Sequence, residues 1–339
     1  CGSETVKPYT FFEMSKFLSV GKVSKEEARR VTRKAEKYNE CASVFLENGV
    51  VQIEGLYESE KAREAYRDAL RNFVEVLRVL RRRGKRLGRG TKHGFAEIVK
   101  RTKGRFEMLH GMRDVYEKYL SKNKRLEEFL SRVLGQDFHL VYADMLISFP
   151  GATDQQWHVD GPHRAGAQEH YPPDILNCFI ALDDIDVAMG PTEIRPETHK
   201  LTRNMKKQVL GAILTKKLRP KVRSACKCGD ALVFDYRTLH RGVANLSSRS
   251  RPVLGLVFGR KEYKADKLNF PVRSVFDLMS DDDDDGGNDV VTKSNVLCAA
   301  SSKELHISLD TETIGYVLQP SLFQDLLKTA TELAKWHDS

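Results

Sequence analysis

No run of about 18 apolar residues occurs in the sequence, which excludes a membrane-spanning helix. Cysteine is scarce: six in 339 residues, at positions 1, 41, 178, 226, 228 and 298. Only Cys226 and Cys228 lie close, and one intervening residue is not the C-x-x-C spacing of zinc knuckles or redox pairs. Thiols this few and scattered exclude a disulfide-stapled scaffold and point to a reducing compartment. There is no internal repeat and no signal peptide, and the end Trp336-His337-Asp338-Ser339 is neither a peroxisomal nor a retention tag. The cytoplasm is the expected location, while Cys1 in place of a starting Met leaves a lost leader, organellar or nuclear, open. A hydrophobic share of 40% against 30% charged is too apolar for a disordered chain and supplies a core for one large or two smaller domains.

Three kinds of sequence succeed one another. Residues 1–137 read as a mainly helical part that packs on a β-rich core. Ser24 with Glu27 fits a capping box, and Ala28, Val31, Ala35 and Tyr38 recur at helical spacing. Phe45 to Ile53 reads as a helix end, an Asn48-Gly49 stop and a short strand. Glu58 to Val79 is a strongly amphipathic helix, and a further one is expected over Met112 to Leu134. Residues 138–279 change character. Short apolar runs at 138–149, 175–182, 231–236 and 253–259 are separated by Pro150-Gly151, Pro172-Pro173, Gly190-Pro191 and Gly229-Asp230. Such punctuation argues for a β-sandwich or barrel rather than βαβ units. The acidic, glycine-containing stretch 280–295, with Asp281 to Asp285, reads as a solvated linker. Residues 296–339 hold a terminal helix with Leu322, Phe323, Leu326, Leu327, Ala330 and Leu333 as its apolar face, packed on the core or on another subunit. About 40–279 is expected to form one integrated catalytic domain.

The chemistry lies in the β region. His158 and Asp160 are two residues apart, so on an extended strand both side chains face one way. An imidazole beside a carboxylate, completed by a histidine from a distant strand, is the two-histidine-one-carboxylate set of non-haem iron oxygenases. His240, after the apolar run Ala231 to Tyr236, is the natural third member. Arg251 comes eleven residues later at the head of another apolar run, where a guanidinium can grip a carboxylate through two hydrogen bonds. Each element alone is weak, since a lone histidine is more often structural; together they are specific.

Four stretches carry a resemblance: Phe45 to Leu56, Pro150 to Gly161, Leu182 to Lys200 and Leu232 to Arg251. Together they resemble the phytanoyl-CoA dioxygenase family of Fe(II)- and 2-oxoglutarate-dependent oxygenases over about residues 40–265. The resemblance implies an α+β fold, a double-stranded β-helix (jelly roll) core flanked by N- and C-terminal helices, in keeping with the strand pattern. It implies that His158, Asp160 and His240 bind iron and that Arg251 pairs with the distal carboxylate of 2-oxoglutarate. Gln155 and Thr192 fall where relatives place residues at the co-substrate. The implied cofactors are Fe(II), 2-oxoglutarate and O2, with ascorbate as an added reductant. The implied reaction hydroxylates a C–H bond of a small organic or acyl-CoA-like substrate and releases succinate and CO2; desaturation and ring formation stay open. Asp160 stands where related halogenases carry a small residue, which argues against halogenation. Glu197-Thr198-His199 departs from the common Gly-Ser-His of the family.

Other residues are read more plainly. Trp157, His199, His139 and Met145 are expected to pack, and His163, His170 and Tyr171 either line the substrate pocket or face solvent. Asn177 and Phe179 share one strand face and Cys178 takes the other, with the inward face undecided. Arg78 to Lys92 carries eight basic residues and no acid. It reads as a solvated loop after a helix, or as a site for a phosphate-bearing or nucleic-acid partner, with Arg101, Lys103 and Arg105 widening it. Missing aromatics speak against a single-strand stacking surface. A net charge of +9 thus motivates a second reading, an oxygenase of modified nucleic acid or a protein side chain. A third is a non-catalytic jelly-roll binding module.

Overall fold

In a computed structural model, which describes residues 18–19, 21–161, 163, 170–263, 270–278 and 320–338, the apolar runs pair into two sheets. The strands are β1 Thr32–Lys34, β2 Val50–Glu54, β3 Ile98–Thr102, β4 Arg105–Met108, β5 Phe138–Ser148, β6 Ile175–Ala181, β7 Thr192–Ile194, β8 Val222–Arg223, β9 Ala231–Asp235, β10 His240–Gly242 and β11 Arg251–Arg260. The large sheet runs β1-β2-β9-β6-β11-β5-β4-β3 and the small one β10-β7-β8. All neighbours are antiparallel except β1 and β2. This is the jelly-roll plan, with the large sheet extended at both edges by strands from the front of the chain.

Around it lie α1 Lys25–Arg30, α2 Tyr38–Asn48, α3 Ser59–Arg82, α4 Met112–Tyr119, α5 Lys124–Leu134, α6 Thr198–Leu201, α7 Met205–Leu214 and α8 Pro320–Asp338. The period-2 alternation of the strands divides the large sheet into two faces. Met145, Ile147, Cys178, Ile180, Leu254 and Leu256 pack outward against Ala65, Ala69, Phe73 and Leu77 of α3 in one core. The opposite face carries Tyr142, Asp144 and Leu146 of β5 with Asn177 and Phe179 of β6, and looks toward the small sheet. That settles which face of β6 is inward: Asn177 and Phe179 line the cavity, and Cys178 is in the helix-side core.

Local sequence explains most helix ends, and tertiary pairing explains the rest. Ser24 accepts from the Glu27 amide at 3.1 Å, but the Glu27 carboxylate turns to Arg219, so the box is only half made. The helical spacing through Val31 and Ala35 does not continue as one helix. The Gln52 amide donates to the Val31 carbonyl at 2.8 Å and draws 32–34 into β1 beside β2. The helix expected over 112–134 is two, because Asn123 starts a new one by accepting from the Leu126 amide at 3.1 Å. Strands β3 and β4, unread in the sequence, complete the large sheet. The apolar face of α8 packs on α3, with Tyr66 and Phe323 edge to face at 5.3 Å. The acidic run 281–285 lies outside the described residues. Among the described residues, no helix is long and apolar enough to cross a membrane.

Candidate active site

His158 lies in the loop after β5, and its backbone forms a two-bond bridge with His240 of β10: each amide donates to the other's carbonyl at 3.0 Å. The bridge sets the two rings 4.3 Å apart, centroid to centroid. His158 Nδ1 is 2.8 Å from the Gln156 carbonyl, and His240 Nδ1 is 3.0 Å from the Thr238 carbonyl. Carbonyls only accept, so each Nδ1 carries a proton and each Nε2 is the nitrogen turned to the cavity. Both Nε2 atoms face Asp160, at 3.7 Å and 3.4 Å from its carboxylate oxygens. The three ligand atoms lie within 4.8 Å of one another. Asn177 donates to Asp160 Oδ2 at 2.6 Å and orients the carboxylate. Burial, with the neighbouring His240 ring, pushes His158 down to about 4 against the pull of Asp160, so the imidazole is neutral at neutral pH. Two imidazoles aimed at one carboxylate, each held by its far nitrogen, fit a divalent metal.

The cavity between the sheets measures about 360 Å³, and His158, Asp160, His240, Gln155, Thr192 and Arg251 all line it. Arg251 heads β11 and is buried; Nη1 donates to the Gly190 carbonyl at 2.8 Å and Nη2 to Ser148 Oγ at 3.3 Å, while Nε has no partner. Beside it, Arg105 of β4 donates to the Val243 carbonyl at 2.8 Å and also leaves Nε bare. Neither guanidinium is paired with a carboxylate among the described residues. Burial drives Arg251 well below the usual guanidinium range, helped by Arg105, and pushes Arg105 down to about 10. Two buried cations without a counter-ion are costly unless an anion joins them. Gln155 Oε1 accepts from the Gly242 amide at 3.0 Å, and a Cβ on Gly242 would come within 2.5 Å of both this oxygen and Arg105 Nη1. The missing side chain at 242 leaves room there for the ends of both.

Several cavity residues were not read in the sequence as part of the site. Arg105 and Arg101 do not widen a surface patch: Arg105 is inside the cavity, and Arg101 is paired with Glu107, itself buried. Asp144 stands over Gly255 of β11, whose missing side chain makes room for it. Burial and the adjacent Glu107 raise Asp144 well above the usual carboxyl range. A lone acid inside the apolar run 138–149 was the available hint. Trp157 is buried against Leu18, Val209 and Leu239, with the Arg241 guanidinium 5.1 Å from its ring centre. His163 meets Thr202 at 3.1 Å, and His170 stacks edge-on against His199 at 5.0 Å; neither lines the 360 Å³ cavity. At the departure Glu197, φ is +64°, the left-handed region that glycine adopts freely, which explains why glycine is common there among relatives.

A jelly roll presenting a His-x-Asp and a distant His beside buried arginines defines the class of 2-oxoglutarate-dependent non-haem iron oxygenases. Comparison bears this out. The chain matches the phytanoyl-CoA dioxygenase (PhyH) family over residues 45–253, and it belongs to that family. It is accordingly an iron- and 2-oxoglutarate-dependent dioxygenase. Among solved structures, the epimerase SnoN in complex with Fe3+, α-ketoglutarate and nogalamycin RO shares the fold at a TM-score of 0.50 and 16% identity, covering 69% of this chain and 88% of that one. The carbocyclase SnoK from nogalamycin biosynthesis aligns at a TM-score of 0.48 and 20% identity (69% and 89% covered). HygX from Streptomyces hygroscopicus, with nickel, 2-oxoglutarate and hygromycin B bound, aligns at 0.47 and 15% (67% and 88%).

Proposed function

We propose that the chain hydroxylates a C–H bond of a small organic substrate, with His158, Asp160 and His240 holding Fe(II) and Arg251 taking the distal carboxylate of 2-oxoglutarate. One observation carries this reading: two imidazole Nε2 atoms converge with one carboxylate in the same 360 Å³ cavity as a buried guanidinium that has no counter-ion among the described residues. Iron and 2-oxoglutarate, once bound, supply the oxidising power: one oxygen of O2 enters the product hydroxyl, the other enters succinate, and CO2 leaves.

The chain's own residues do the positioning. Carbonyls of Gln156 and Thr238 keep the Nδ1 protons in place, so both rings stay presented as ligands. Arg251 offers a bidentate fork to a carboxylate, and Arg105, with Gln155 and Thr192, adds donors and acceptors beside it. Asp144, its carboxyl raised by burial and by Glu107, faces the same cavity and is a polar group within it for the substrate. Leu146, Trp157 and Phe179 are the apolar part of a wall that is otherwise polar. A cavity of this size suits a small molecule, or one end of an acyl-thioester-like one, together with the co-substrate. A phosphate-bearing partner at the basic run Arg78–Lys92 belongs to the same reading. Four free buried thiols, Cys41, Cys178, Cys226 and Cys228, support a reducing, cytoplasmic setting.

The test is succinate formation by the purified chain with Fe(II) and 2-oxoglutarate. His158→Ala and Asp160→Ala are expected to abolish turnover, and Arg251→Ala to raise the 2-oxoglutarate requirement most of all. A protein that binds iron normally yet forms no succinate would overturn the assignment.

A further inference from the structure

The metal-site cavity has two ends of opposite charge. Arg105 of β4 and Arg251 of β11 both stand opposite Ser148 of β5. Asp144 is four residues back along β5, roughly 13 Å at about 3.4 Å per residue. Glu107 of β4 stands opposite Leu146, on the diagonal from Asp144 and within side-chain reach of it. Both acids line the cavity and both are buried. The Glu107 carboxylate is taken by Arg101. Asp144 has no such cation among the described residues, and its buried Oδ1 has no hydrogen-bond partner among them. A buried carboxylate oxygen left bare is costly, and more so beside a second acid.

The surroundings of Asp144 suit a cation. Gly255 stands opposite Asp144 on one side and opposite Phe179 of β6 on the other. With no side chain at 255, the carboxyl reaches over the central strand into the space before Phe179. Tyr142, two residues along β5, lines the same space. Asn177, which holds Asp160, is two residues along β6 from Phe179, so the acid and the metal ligands share one floor. The loop after α3 also reaches this floor. Its Arg89 and Gly90 line the metal-site cavity, whereas Lys85, Arg86 and Lys92 line a separate one of about 780 Å³. Arg78, Arg81 and Arg82 are exposed on α3, so the basic run does not act as one surface.

We propose that Asp144, with Glu107 beside it, receives an ammonium group of the substrate, an amine-bearing small molecule whose reacting carbon lies at the metal ligands on the same floor. The reacting carbon rests on the oxygenase reading; the amine site does not. An ammonium has three donors and a charge, so it can meet both acids at once and offset the one that Arg101 leaves over. The rings of Tyr142 and Phe179 add an attraction for a cation that a neutral hydroxyl lacks. A carboxylate or phosphate would be repelled here and drawn to the arginine end.

Benzylamine and benzyl alcohol share a shape and differ in charge, so paired calorimetric titrations test this. The full chain is supplied with Fe(II) and 2-oxoglutarate, and oxygen is excluded. At neutral pH the amine should bind at least about tenfold more tightly than the alcohol. Asp144→Asn keeps the size of the side chain and should bring the two ligands within about twofold of each other. Its Tm should not fall, because the change relieves two crowded acids. Arg89→Gln removes a charge of the opposite sign from the same cavity and should not weaken the amine. Equal affinities in the wild type, a preference that survives Asp144→Asn, or an equal loss in Arg89→Gln would each overturn the proposal. If the Asp144-dependent preference holds while the wild type forms no succinate in air, the oxygenase assignment fails and the amine site stands. Succinate formation without that preference would sink the amine site alone.

Discussion

At the scale of single residues, the site is a set of paired constraints. Asn177 is the clearest case, because it touches no ligand position except through Asp160, to which it donates at 2.6 Å. Asn177→Ala removes that donor and lets the carboxylate turn, so Fe(II) affinity should fall about 10- to 100-fold. Metal titration measures it, and an Asn177→Ala protein that binds Fe(II) like the wild type would remove the positioning role. His158, Asp160, His240 and Arg251 were legible because their spacing and their places beside apolar runs are local. Asn177 was half legible: strand alternation paired it with Phe179 but could not say which face looked inward. Arg105 and Asp144 were not legible. Their meaning depends on meeting Arg251 and Glu107, which arrive on other strands.

At the scale of elements, α3 shapes the back of the large sheet. Phe73 is fully buried on it and meets Phe106 of β4 at 5.7 Å and Phe149 at 5.8 Å. Phe73→Ala leaves a cavity there and should cost about 3–5 kcal/mol of stability in chemical denaturation. A loss below about 1 kcal/mol would mean that the sheet does not depend on this packing. The strong amphipathicity of α3 made it readable from sequence, since eleven of its side chains are buried along one side. The short elements were not. β1 owes its existence to the neighbouring β2, and the break between α4 and α5 turns on a single capping asparagine. Propensity summed over a window is blind to one hydrogen bond of either kind.

On the scale of the whole molecule, α8 ties the end of the chain to the loop between the two cavities. His337 is buried and its Nδ1 accepts from the Leu87 amide, so it must be unprotonated there. Burial, then Lys100 and Arg86, push it down to about 4 from an ordinary value near 6.5. Its folded-state value is depressed, so its contribution is full above about pH 6.5 and is lost as pH falls toward 4. Asn at this position can still accept from Leu87 but does not titrate. The drop in Tm between pH 7.5 and 5 should therefore be smaller in His337→Asn than in the wild type, and equal drops would rule the docking role out.

The sequence by itself determined what is local or periodic. A β-sandwich or barrel comes from short apolar runs between turns, its jelly-roll form from the family resemblance, α3 from its apolar stripe, and the iron-binding candidates from two residues two apart in sequence plus one histidine and one arginine. Only the tertiary structure decided which charges belong together. It split one basic run into a helix face, a cavity wall and a residue at the metal site, and it carried two arginines and an aspartate inside. The reason is physical: a charge in sequence has no environment, and its solvation, its partner and its pKa come from strands and helices that only folding brings beside it.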